Sequence, residues 1–147
     1  MFGAFFIVLY GLVTYGMIFS AQQSLNLAAQ DGARKALQWQ GGAGHMHLRA
    51  DAARTFAQQQ ADWIVDVSGA PLAIAVCDST GPLSVTTGAD CSGLPLADDQ
   101  IEVIVSYAYG TFPLIPTLPL FGYAMVPDVL SARASVRLSD LGAGGGV

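Results

Sequence analysis

Residues 2 to 19, FGAFFIVLYGLVTYGMIF, hold no charge and no strongly polar side chain beyond Thr14. Coiled as a helix, a run of that length rises about 27 Å, close to the roughly 30 Å hydrocarbon core of a bilayer. A cleaved secretory signal would start basic and carry a shorter apolar run before small residues. The start here is not basic, although Ser20-Ala21-Gln22 could form a cleavage neighbourhood. A core helix would be unusually oily on every side. A retained membrane anchor fits best.

The residues after Phe19 limit the fold further, because nothing among them stops a helix. From Ser20 to Trp39 the small or apolar positions are Ala21, Leu25, Ala28 or Ala29, Gly32 or Ala33, and Ala36 or Leu37. That is the three-to-four spacing of one helical face. Gln22, Gln23, Asn26, Gln30, Asp31, Arg34, Lys35 and Gln38 take the other face. The spacing predicts one helix over residues 2–39, ended by Gly41-Gly42-Ala43-Gly44. Its Ala/Gly stripe would let a neighbouring element approach closely.

Composition agrees with an anchor plus one domain. The 147 residues are 52% hydrophobic and only 12% charged, against about 25% charged in an ordinary soluble domain. The net charge is −5, and the six basic residues Arg34, Lys35, Arg49, Arg54, Arg133 and Arg137 are too scattered to neutralise a run of phosphates. Nucleic acid is excluded as a partner on that ground.

A second helix is expected from about Met46 to Val67, with Ala52, Phe56, Trp63 and Val67 along one side. Arg49, Asp51, Arg54, Gln58 and Asp62 would mostly face solvent, and Ser68-Gly69-Ala70-Pro71 breaks the helix. Beyond Pro71 the period becomes two. Leu72, Ile74 and Val76 alternate; Ile101, Val103, Val105, Tyr107 and Tyr109 share a face; Leu130, Ala132, Ala134, Val136 and Leu138 point inward with Arg133 and Arg137 outward. Three strands of a small antiparallel sheet are therefore expected. Between the last two lies TFPLIPTLPLFGYAMVP, too proline-rich for a central strand and too oily for a solvated linker. This 111–127 loop is expected to fold over the sheet or to meet a partner. The Gly-rich tail 141–147 is expected to be disordered.

Cys77 and Cys91 flank DSTGPLSVTTGAD, a Ser-, Thr- and Gly-rich stretch suited to a tied surface loop. In an oxidising compartment a bridge here would stabilise by about 3 kcal/mol; the alternative is two thiols in a reducing one. The positive-inside rule weighs on the same question. Arg34 and Lys35 come after the apolar run, which read literally leaves the C-terminal domain in the cytoplasm. The conflict resolves if basic residues precede the numbered chain.

Signals for catalysis are poor. His45-Met46-His47 could contribute to a metal site but has no Cys and no carboxylate nearer than Asp51. Asp78-Ser79-Thr80-Gly81 differs by an inserted residue from an aspartic-protease triplet and reads as a turn. Asp90, Asp98 and Asp99 lack the spacing of a calcium loop. Neither a phosphate-cradling glycine loop nor a local Ser-His-Asp pattern is present. Trp63, Tyr107 and Tyr109 read as core or sheet-face residues. The expectation is a non-enzymatic chain with no catalytic residues, no metal and no cofactor.

Two stretches carry a family resemblance. The first runs from the apolar segment through QQSLNLAAQDGARKAL, with Ala28-Ala29-Gln30-Asp31-Gly32-Ala33-Arg34 at its centre; the second is IEVIVSYAYGTFPLIP, followed by SARASVRL. In that order they resemble the TadE-like minor pilins of the tight-adherence (Flp) type IV pilus system. Family members begin with a basic leader, a Gly cleavage site and an early Glu, none of which appears in Met1-Phe2-Gly3-Ala4-Phe5-Phe6. Leader processing and a Glu pairing inside the filament are therefore not carried over.

The resemblance implies an α+β, type IV pilin-like fold. Its parts would be a transmembrane portion (1–20), an amphipathic continuation (21–40), a periplasmic or extracellular head (46–140) and the tail. It implies an inner-membrane subunit needed to assemble a pilus used in surface attachment. Partners would be the major Flp-type pilin, other minor pilins and an inner-membrane assembly platform, in a hetero- or homo-oligomeric filament. Read from the residues themselves, membrane insertion and helix packing would fall to Phe5, Ile7, Gly11, Val13, Gly16, Ile18, Leu25, Ala29, Gly32 and Ala36. Partner contact would fall to Phe112, Leu114, Ile115, Leu118 and Phe121. The competing reading is a constitutively anchored envelope binding module or adhesin that never enters a filament; an anchored periplasmic enzyme is a distant third.

Overall fold

The computed structural model describes residues 1–38, 45–118 and 126–138. Helix α1 is Phe2–Gln38, helix α2 is Met46–Ser68, and there are four strands: β1 Ala73–Asp78, β2 Gly81–Val85, β3 Gln100–Tyr107 and β4 Leu130–Arg137. The expected Gly41–Gly44 helix break, Phe121, and the 141–147 tail lie outside the described residues.

α1 runs unbroken for 37 residues, as the uninterrupted pattern after Phe19 predicts. Its buried positions are Thr14, Ile18, Ala21, Leu25, Ala28, Ala29, Gly32, Ala33 and Ala36. Spacings of three and four keep them on one face. α2 ends where Gly69 adopts φ 70° and its N–H bonds the carbonyl oxygen of Val65 at 2.7 Å. That left-handed cap suits glycine, and Pro71 comes shortly after.

The sheet order is β2-β1-β3-β4, antiparallel at each junction. Both helices lie against it, α1 over β3 and β4, α2 over β1 and β2. Ile74, Val76, Ile101, Val103, Val105, Tyr107, Leu130 and Ala132 join the helix stripes in one core. This is an α+β, pilin-like arrangement: a long apolar N-terminal helix, a second helix and a small antiparallel sheet.

Two expectations need correction. The sheet has four strands, because Gly81–Val85 pairs with β1 inside the stretch expected to be loop. Ser79-Thr80 forms a tight turn in which Asp78 Oδ1 accepts hydrogen bonds from the Thr80 N–H, the Thr80 hydroxyl and the Gly81 N–H. Pro82 is tolerated because β2 is an edge strand, with a register irregularity opposite it between Val76 and Cys77.

The buried face of α2 is also different. It is Ala50, Ala53, Ala57, Ala61 and Ile64, whereas Ala52, Phe56 and Trp63 are half-buried and Val67 is exposed. α2 comes so near α1 at Gly32 that Ala53 and Ala57 leave no room for a larger side chain at that point of the seam. The larger residues sit at its margins, where Lys35 Nζ rests 5.6 Å from the centre of the Phe56 ring and Trp63 Nε1 donates to Ser24 Oγ at 2.9 Å.

Candidate functional site

α1 changes character along its length. Phe5, Ile7 and Val13 are exposed together with Phe2, Phe6, Val8, Leu9, Leu12 and Phe19. Gly11 is half-buried and Gly16 exposed, and a Cβ added at either would meet nothing within 4 Å. With Val8, Leu12, Tyr15 and Phe19 they line a shallow apolar groove along the helix. Ile18, Leu25, Ala29, Gly32 and Ala36 face the other way and are buried in the chain's own core. Those five residues bind α1 to α2 and the sheet.

Of the loop residues, Phe112 and Leu118 are exposed while Leu114 and Ile115 are half-buried. The segment leaves β3 past Tyr109, where the Gly110 N–H bonds the Asp128 carbonyl oxygen at 2.7 Å and the Tyr107 hydroxyl bonds the Phe112 carbonyl oxygen. It then runs to the apolar half of α1. The Tyr10 hydroxyl donates to the Pro116 carbonyl oxygen at 2.8 Å and accepts from the Leu118 N–H at 3.3 Å. Tyr107 and Tyr109 meet edge to face at 6.3 Å. Burial, with the Tyr10 and Tyr107 phenols nearby, raises the Tyr109 pKa above its ordinary value. Tyr10 is the residue that the sequence does not single out; its phenol in mid-run is the only signal there.

A second polar cluster lies on the sheet face away from the helices. Cys77 on β1 is joined to Cys91 by a disulfide with the Cα atoms 6.1 Å apart. Its cross-strand neighbour Glu102 is 1% exposed, pairs with Arg133 Nε at 2.5 Å and accepts from Ser92 Oγ at 2.9 Å. The disulfide and the Ser92 bond together hold the 86–99 segment over this face.

At the far edge, Ser84 Oγ donates to Asp51 Oδ1 at 2.5 Å and accepts from Arg54 Nε at 2.8 Å, tying α2 to β2. The sequence pattern points Asp51 and Arg54 to solvent; Arg54 is instead half-buried by this contact. His47 Nδ1 lies 3.2 Å from the Leu83 carbonyl oxygen. Among the described residues no group of three or more His, Cys, Asp or Glu side chains is placed to hold a metal ion.

These features define a class: a pilin-like chain with an exposed apolar half-helix and an α+β head built around the other half. Residues 1–34 match the family model described as TadE-like protein, so the resemblance read from sequence holds over the N-terminal segment. That family is associated with Tad pili and is generally non-enzymatic. The match ends at Arg34, inside α1. No curated protein and no solved structure matches the chain.

Proposed function

We propose that this chain is a non-enzymatic minor pilin, or pilin-like subunit, needed to assemble a tight-adherence pilus used in surface attachment. The observation that carries the reading is the division of α1. Its first half stands exposed and apolar, its second half is sealed into a head, and the TadE-like match covers most of that helix. A subunit of this design is held in a bilayer by the exposed half. It can exchange lipid for neighbouring helices when it enters a filament, because lipid and apolar helix are similar solvents. The groove lined by Gly11 and Gly16 supports such an exchange, since small residues let backbones approach.

The head then faces the periplasm or the exterior, where the disulfide persists. Its partners are the major Flp-type pilin, other minor pilins and the inner-membrane platform. Transmembrane role is assigned to 1–20, continuation to 21–40 and head to 46–140.

Deleting the gene and imaging the cells tests this reading. Loss of pili, restored by the native gene, supports it; unchanged piliation and surface attachment refute it and favour the anchored binding module.

A further inference from the structure

Tyr10 sits near the middle of the apolar run, about 12 Å along the helix axis from Phe2 and about 13.5 Å from Phe19. Its hydroxyl holds Pro116 and Leu118. Whatever surrounds α1 at Tyr10 must therefore also surround the chain hydrogen-bonded to it. From this placement we infer that segment 112–118 enters the lipid beside α1, seating the head in one leaflet instead of above it. The inference rests on reading residues 2–19 as a membrane span and adds a second lipid contact to it.

The chemistry of the segment suits that medium in part: the Leu114, Ile115 and Thr117 N–H groups have no hydrogen-bond partner among the described residues, and the other polar groups named below are met. Irregular backbone in hydrocarbon is costly wherever a polar group lacks a partner. Pro113 and Pro116 bring no N–H. The Thr111 and Phe112 N–H groups donate to the Ala108 carbonyl oxygen at 3.2 and 3.0 Å. The Phe112 carbonyl oxygen accepts from Tyr107, and Tyr10 serves both Pro116 and Leu118.

The exchange is mutual: in lipid the Tyr10 phenol would have no water to bond, and the loop supplies both its acceptor and its donor. No charged residue lies anywhere from Val103 to Pro127. Phe112 and Leu118 are 44% and 47% exposed, adding to the apolar surface that the half-helix presents. Asp128, the first charge after the run, is exposed and lies against Gly110, on the head side of the segment.

The full chain can be reconstituted in phosphatidylethanolamine and phosphatidylglycerol vesicles doped with a lipid carrying a diazirine at mid-acyl chain. Irradiation, digestion and mass spectrometry then locate the adducts. Adducts in both 2–19 and 112–118, with none in 73–99, are expected. Tyr10→Phe should leave helix adducts unchanged and lower those at 112–118 severalfold. Adducts confined to 2–19 would overturn the inference while leaving the span intact. Adducts in neither segment would overturn both, and adducts spread through 73–99 would deny the selective seating.

Discussion

Gly32 of α1 and Ala57 of α2 meet so closely that a Cβ built on Gly32 would lie 3.0 Å from the Ala57 Cβ and 3.1 Å from the Ala53 carbonyl oxygen. Neither obstacle is the tip of a flexible chain. Gly32→Leu should therefore cost about 3 kcal/mol through overpacking, and Gly32→Ala about 1 kcal/mol after the gain in helix propensity. Gln30→Leu, on the exposed side, should stay within about 0.5 kcal/mol. Urea midpoints of the three variants in detergent, together with piliation counts, check the order.

Gly11→Arg separates anchoring from folding. A Cβ there meets no atom within 4 Å, and Gly11 lies outside the buried face that packs on the head, so the head should keep its stability. Insertion should suffer, since a central Arg costs about 2.5–3.5 kcal/mol on translocon scales. Membrane fractionation should show the variant lost from the bilayer or degraded; normal insertion and normal piliation would remove the role given to the helix.

Glu102 is buried, whereas the Arg133 side chain that pairs with it is 40% exposed. Removing a partner from a buried pair costs about 3–5 kcal/mol, and solvent near Arg133 reduces this to about 2 kcal/mol for Arg133→Ala. Arg133→Ala together with Glu102→Gln should recover part of the loss, because no buried charge is then left unpaired. Thermal unfolding of the two variants checks both statements.

Reducing the Cys77–Cys91 bridge releases a loop whose ends are 14 positions apart. The expected loss is about 3 kcal/mol, from the entropy the open chain regains when unfolded. Hydrogen exchange should quicken first in 86–99, which keeps only its hydrogen bonds to the sheet. Equal melting temperatures with and without reductant would contradict this.

The long helix and its Ala/Gly stripe are legible in the sequence because periodicity is local and nothing interrupts it between Phe2 and Gln38. The inward residues of β3 and β4 are legible for the same reason. The α2 face is not, because the pattern of large residues points to the wrong side. Close helix–helix approach instead selects Ala53, Ala57 and Ala61 and sends Phe56 and Trp63 to the margins. β2 is hidden because Gly81 and Pro82 read as loop residues, and only pairing with β1 makes a strand of them. Tyr10 and Pro116 are 106 positions apart, and no local pattern announces such a bond. The sequence does mark 111–127 as too apolar to be left in water.

Shearing cells that carry a tagged copy, then blotting the filament and cell-pellet fractions, tests the central claim most directly. A minor pilin should appear in the sheared filaments along with the major pilin. Protein confined to the membrane while the filaments are intact and abundant would contradict a place in the filament.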